Sequence, residues 1–515
     1  MDRRSLLKAG LAATVASRIA EAAGDAGMAA AELDVQEATL DGLQRAFIDK
    51  QLSSRKLCEL YLHRIDALNP RLKAILETNP DALQIADGLD RERREKRAVR
   101  PLHGIPIVLK DNIDTGDKMK TSAGSLALMG DQPVGDAFLV TKLREAGAVI
   151  LAKTNLSEWA NIRSSSASSG WSGRGAQTRN PFALDRTPSG SSSGTGAAVT
   201  ANLCAAGIGT ETDGSITAPS SVQGLVGIKP TVGLVSRTGI VPISATQDTA
   251  GPMTRTVRDA ALVLSVIAGV DPADPATAKA KTADYAAGLD AATLKGARLG
   301  VVRKLFSSHP DVVALSDAAL EALKGQGATL MDVELPHGFD DAELDVLLYE
   351  LKAGLNAYLA SRRPNAKVRT LADVIAFNLA NAATEMPLFG QDLFEKAQKK
   401  GPLTDPTYLK AVKKCREMGK AIDAAVAKNK LDAFVTPTCD PAFVIDSFFG
   451  DRPGTAYATS PAAIAGYPSL TVPMGLARGL PVGLMFFGTA WSEAKLLQLA
   501  YAYEQATKHR VAPKL

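Results

Sequence analysis

The chain has 515 residues, 46% hydrophobic and 22% charged, with a formal net charge of +4. That length can bury a large core and permits two to four domains, while so slight a charge excludes a strongly basic surface for nucleic acid. Cys58, Cys204, Cys415 and Cys439 are widely spaced with no C-x-x-C pair, so they signal neither a zinc site nor a disulfide scaffold and read as buried thiols.

In chain order, the first 31 residues differ from the rest. Arg3, Arg4, Ser5, Leu6 and Leu7 precede an alanine-rich run, a pattern similar to a twin-arginine export signal, with A-x-A cleavage after Ala22 or Ala31. The expectation is a periplasmic or secreted protein, and a cytoplasmic one without such a signal. No later segment reaches the ~18 consecutive apolar residues of a membrane span. From Thr39, Leu40, Leu43 and Phe47 share a helical face; Ser54 is expected to cap a second helix carrying Leu57, Tyr61, Ile65 and Leu68, which Asn69-Pro70 should stop. A charged helix is predicted over 81–96.

Residues 105–109 are an apolar run ending in Lys110 and Asp111, the pattern of a buried strand that delivers a lysine to a sheet edge. An ammonium there must be paired, Asp111 at the surface being the simple partner, or else be neutral. A second short strand at 148–152 leads into KTNLSEWANIRS, and the Ser/Gly-rich residues 164–175 read as an ordered loop. The densest stretch is 188–215, PSGSSSGTGAAVTANLCAAGIGTETDGS. Its residues 195–206 predict a buried helix of small side chains, flanked by two serines near glycine, Ser191 and Ser215. Downstream come short strands and turns, a helix within PMTRTVRDAALVLSVIAG, an exposed connection over 271–289, and a β-α-β pattern at 299–302, 312–323 and 329–333. Residues 340–428 are mostly helical. Interleaved strands and helices over this length favour one α/β domain, a central mixed β-sheet flanked by helices on both sides.

These blocks together resemble the amidase signature family. GIPIVLKD fits G-[IV]-P-x-x-[VL]-K-D, and KTNLSEWA fits K-T-N-x-x-E-x-A. Gly190, Ser191, Ser192 and Gly194 fit the first glycine-serine block, and Gly209, Thr212, Gly214, Ser215 and Ile216 the second. Ser189, Ser193 and Asp213 stand where glycine is usual, Glu211 where aspartate is, and Thr217 where arginine is often found. The spelling is most similar to the peptide amidases, which deamidate the C-terminal carboxamide of peptides. The resemblance spans about 40–507, with its specific motifs in 102–229. It implies one amidase-signature domain over 32–515, with the helical region 340–428 covering the substrate channel and 432–435 and 460–488 supplying returning strands.

Amide hydrolysis needs a nucleophile, a base that returns its proton to the leaving amine, and donors for the oxyanion. Of the five histidines only His103 lies in a motif block. A lysine can be the base if its pKa falls by roughly 3 units, which desolvation can supply. The resemblance implies Ser215 as nucleophile, Ser191 as proton relay on a cis peptide after Gly190, and Lys110 as base. It implies backbone N–H groups of Thr212, Asp213, Gly214 and Ser215 as the oxyanion hole, with Gly190, Ser192 and Asp111 in support and neither metal nor organic cofactor. The Asp213 side chain could face the substrate or solvent. The expected reaction is carboxamide C–N cleavage through an acyl-enzyme, with C-terminal peptide amides as first substrate and aryl or aliphatic amides as second. Two rivals exist. Residues 190–194 also satisfy G-x-S-x-G, with Ser192 as nucleophile. The A-type component of an amidotransferase, which passes ammonia to a partner and a tRNA, shares the family, but Thr217 and the export-like N-terminus weigh against it. The expected partner is a small-molecule or peptide amide, with no nucleic acid; no sequence pattern sets the oligomeric state.

Overall fold

The computed structural model describes residues 35–95, 99–130, 132–363 and 366–515, and Glu37–Leu515 form one unit. The expected export signal, 1–31, lies outside the described residues. The strands are β1 (Ile75–Thr78), β2 (Pro106–Lys110), β3 (Val149–Thr154), β4 (Trp171–Ser172), β5 (Ala176–Gln177), β6 (Ala206–Glu211), β7 (Val226–Lys229), β8 (Thr249–Thr254), β9 (Arg298–Val301), β10 (Thr329–Asp332), β11 (Ala433–Pro437), β12 (Ser469–Ala477) and β13 (Leu480–Phe487). β4 and β5 pair with each other; the remaining eleven form one sheet in the order β1-β3-β2-β6-β8-β7-β12-β13-β11-β9-β10.

The sheet is mixed. β2 runs parallel to β3 and β6, and β9 parallel to β10 and β11, while the other pairs are antiparallel. Every residue of β2, β3, β6, β7, β8 and β11 is buried. Because successive side chains point to opposite faces, continuous burial means that both faces are covered. Helix Ser193–Thr200 packs on β2, β3 and β6, Val257–Ile267 on β7 and β8, and Glu493–Thr507 on β12 and β13. Lys110 is in register with Thr154, and Leu109 with Ile208, so β2 and β3 end together while β6 runs on to Glu211. β6 then meets an antiparallel neighbour, β8, and loops gather at this change of direction.

Three local expectations are corrected. The cap of helix Ser54–Leu72 is Ser53, whose hydroxyl accepts the Lys56 N–H, and Pro70 lies inside its last turn. The helix survives Pro70 because its end is closed from outside: Lys73 turns left-handed, and the Asn69 side chain accepts from Ala74 N and Ile75 N at 2.8 Å each. The helix predicted over 195–206 spans Ser193–Thr200, and β6 begins at Ala206. The buried Arg255 guanidinium collects the carbonyls of Val199, Cys204 and Ala205 at 3.0–3.2 Å, acceptors that a longer helix would have used itself. The helical region comprises Asp340–Ser361, Leu371–Ala380, Ala382–Glu385, Asp392–Gln398 and Pro406–Asn429. Its Leu348, Leu351, Leu355 and Phe394 share a core cluster with Trp159, Ile162 and Val241.

Candidate active site

β2 carries Lys110 to its C-terminal end without leaving the interior, and the lysine is fully buried. Its Nζ lies 2.7 Å from Ser191 Oγ, 2.8 Å from Thr210 Oγ1 and 3.2 Å from the Thr210 carbonyl. None of these partners is a carboxylate. Burial brings its pKa down to about 7, against the more distant pull of Asp248 and Glu211.

Asp111, the simple surface partner, is neither at the surface nor paired with Lys110. It is fully buried, pairs with Arg174 at 3.1 Å, and accepts from the Ser122 hydroxyl and the Ser122 and Gly124 N–H groups. Adjacent strand residues point to opposite faces, which separates the two charges. Asp111 thus folds the 122–125 turn.

The Gly190–Ser191 peptide is cis, and the Ser191 carbonyl accepts from Ser157 N at 3.1 Å. Ser192 is committed to backbone. Its hydroxyl donates to the Thr210 carbonyl at 3.1 Å and accepts from Thr210 N at 3.2 Å, while its N–H donates to the Ser215 carbonyl. A serine stitched this way to β6 is poorly placed to be an elbow nucleophile, and the His103 ring is held at the Leu89 carbonyl, 2.9 Å away.

β6 ends at Glu211, whose buried carboxylate accepts from Ile216 N and Thr217 N at 2.8 and 2.9 Å and so caps helix Thr217–Val222. The N–H groups just before them, of Asp213, Gly214 and Ser215, donate to no acceptor among the described residues. Gly214 makes the turn possible: its φ is +78°, and a Cβ there would lie 2.3 Å from the Tyr457 hydroxyl. The Asp213 carboxylate, left open by the sequence, accepts from the Thr459 and Ser460 hydroxyls at the start of helix Ser460–Ala465.

Ser215 and Gly190 line a cavity of about 330 Å³ together with Thr212 and Asp213, against apolar walls of Ile162, Ile243, Leu347 and Phe443. A second cavity, about 430 Å³, reaches Thr210 and Asn112 and shares Ala160, Thr212 and Ile243 with the first. Lys110 and Ser191 line neither and sit behind this wall. Sequence reasoning misses two contributors. Thr210 holds the lysine, and its only signal is a place between Gly209 and Thr212 in the second block. Glu211 looks, in sequence, like a mere variant of aspartate.

A mixed α/β sheet that presents a buried lysine to a serine, beside a turn of unclaimed N–H groups and a cavity, is the architecture of a hydrolytic enzyme. The chain belongs to the amidase family: residues 56–497 match the family described as Amidase. The native peptide amidase of Stenotrophomonas maltophilia has the same fold at 52% identity, with a TM-score of 0.89 over 93% of this chain and 98% of that one. A probable amidase of Arabidopsis thaliana is 44% identical over 93% of this chain and 92% of its own length. The A-type component of the glutamyl-tRNA(Gln) amidotransferase of Moorella thermoacetica is 36% identical over 90% of this chain and 96% of its own length.

Proposed function

We propose that this amidase releases ammonia from the C-terminal carboxamide of peptides, with Ser215 as nucleophile, Ser191 as relay and Lys110 as base. The observation that carries the reading is the 2.7 Å contact between Ser191 Oγ and a buried lysine that has no carboxylate at hand. A neutral amine can donate its two hydrogens to Thr210 and accept the third bond from the Ser191 O–H. Ser215 Oγ then attacks the carboxamide carbon while its proton passes to Ser191 and the Ser191 proton to Nζ. The N–H groups of the turn take the oxyanion. The C–N bond breaks as the proton returns through Ser191 to the nitrogen, ammonia leaves, and water repeats the sequence on the acyl-enzyme to release the carboxylic acid.

The 52% identity to a protein described as a peptide amidase supports the substrate class. The apolar walls of the 330 Å³ cavity suit a peptide side chain. Aryl and aliphatic amides are the next class. The decisive assay is ammonia release from a C-terminally amidated dipeptide by wild type and Ser215→Ala. Release that the substitution abolishes is expected; equal release by both would remove Ser215 from the mechanism, and none by either would move the substrate to anilides. The amidotransferase relatives favour a second reading, which requires ammonia transfer to a partner and is excluded by turnover of amidated peptide by the purified chain alone. Export is proposed on the Arg3-Arg4 pattern, and recovery of the protein in the cytoplasmic fraction would refute it.

A further inference from the structure

Asp213 lines the cavity at this turn, and its side chain reaches the start of helix Ser460–Ala465. Both carboxylate oxygens already accept a hydroxyl, one from Thr459 and one from Ser460, which marks Asp213 as the ionised partner of whatever else it meets. That neighbour is Glu343, in the first turn of helix Asp340–Ser361, buried and within hydrogen-bond reach of Asp213. Glu343 Oε1 accepts from Gln247 Nε2 at 2.7 Å, which leaves its other oxygen for Asp213. Two charged carboxylates there would repel; one shared proton turns the contact into a hydrogen bond. The loop that holds Glu343 also reaches the other end of the turn. Gln247 Nε2 lies 3.5 Å from the Thr212 carbonyl, and Asp248 accepts from the Thr212 hydroxyl at 2.6 Å.

We propose that Glu343 is a positioning residue of the active site: its carboxyl proton ties the helix over the cavity to Asp213 and fixes the turn whose N–H groups meet the oxyanion. This rests on the function proposed above. Burial, then the charge of Asp213, pushes the Glu343 carboxyl up to about 9, so the proton is held at neutral pH. The other groups facing the pair are Glu211, Lys229 and Tyr457 around Asp213, and Asp340 and Cys415 around Glu343. Of these Lys229 also titrates nearby, at about 8, so a pH profile of wild type alone does not suffice. Glutamine at 343 retains a donor for Asp213 and an acceptor for Gln247 without titrating; alanine has neither.

The experiment compares wild type, Glu343→Gln and Glu343→Ala. Its readouts are kcat and KM for ammonia release from an amidated dipeptide at pH 6–10, the rate of Ser215 phosphonylation by a fluorophosphonate, and thermal unfolding. Wild type is expected to lose kcat above about pH 9 at steady KM. Glu343→Gln should keep kcat within about threefold at pH 7 and lose that alkaline fall. Glu343→Ala should slow both kcat and phosphonylation on the order of tenfold or more while still unfolding cooperatively. An alkaline fall that persists in Glu343→Gln, or wild-type rates in Glu343→Ala, overturns the proposal. Should Glu343→Ala not fold, the Glu343→Gln profile decides. If wild type releases no ammonia yet Glu343→Ala slows phosphonylation, the positioning role stands and the peptide-amide reading falls; normal release with unaffected phosphonylation gives the reverse.

Discussion

In the role proposed for it, Lys110 couples catalysis to stability. A base with a pKa of about 7 is protonated in acid, so kcat/KM should rise about tenfold per pH unit below that point and level off above it, until the fall expected above about pH 9. A profile flat from pH 5 to 9 would remove the lysine from the mechanism. The same shift acts on folding. Between about 7 and the free value of 10.5 the unfolded chain holds more protons at this site than the folded one, so the contribution of Lys110 to stability rises with pH across that window. Lys110→Met should lack the effect. Its unfolding free energy, measured by urea titration, should fall behind that of wild type by on the order of 3 kcal/mol between pH 7 and 10. Ser192→Ala tests the neighbouring serine: it should cost about 1–2 kcal/mol through the lost bonds to Thr210 yet retain turnover, whereas total inactivation would restore Ser192 as the nucleophile. The contact of Lys110 with Ser191 and the place of Ser215 at the cavity are legible because three motif blocks coincide. The partners that make the lysine usable are not, since a threonine hydroxyl turned toward an amine leaves no mark on composition or periodicity.

At the scale of elements, β6 is the strand that the sequence hides. AGIGTE has one β-branched apolar residue and two glycines, which lower strand propensity, so the alanines before them read as a continued helix. The glycines answer to tertiary packing instead: a Cβ on Gly207 would come within 2.5 Å of Thr195 Cγ2, on the helix that carries the serine block. Gly207→Ala should therefore push Ser193–Thr200 off the sheet, destabilise by about 1–3 kcal/mol and reduce kcat more than it raises KM. Calorimetry and steady-state kinetics on one preparation would check both parts. Strands with a regular apolar pattern, such as β2, β3, β9 and β11, follow their sequence signals closely, because there local pattern and final burial agree.

Across the whole molecule, the helical region is fastened to the segment that follows β3 by a buried arginine. Arg163 pairs with Glu158 at 2.5 Å, donates to the Glu385 and Phe389 carbonyls, and lies against the rings of both Trp171 and Phe389, which also touch each other. Glu385 in turn accepts from Leu126 N at 2.7 Å. Burial pushes Glu158 up to about 8, with Arg163 opposing it. Arg163→Met should leave both carboxyls without their cation and cost about 3–5 kcal/mol. The cost should be larger at pH 8 than at pH 6, since a carboxyl with a raised pKa must hold a charge as the pH rises; an equal cost at both would mean that the carboxyls do not titrate there. This fastening is unreadable in sequence, because its partners lie 222 residues apart and neither half is unusual alone.

The sheet order has a consequence in time. Lys110 must meet partners 81 and 100 residues downstream, the second of them on a strand wedged between β2 and β8. Contacts so distant along the chain form slowly, after helices that need only local partners. During refolding from denaturant, helical circular dichroism should therefore recover before activity does, and chains interrupted in that interval should be well structured and catalytically silent.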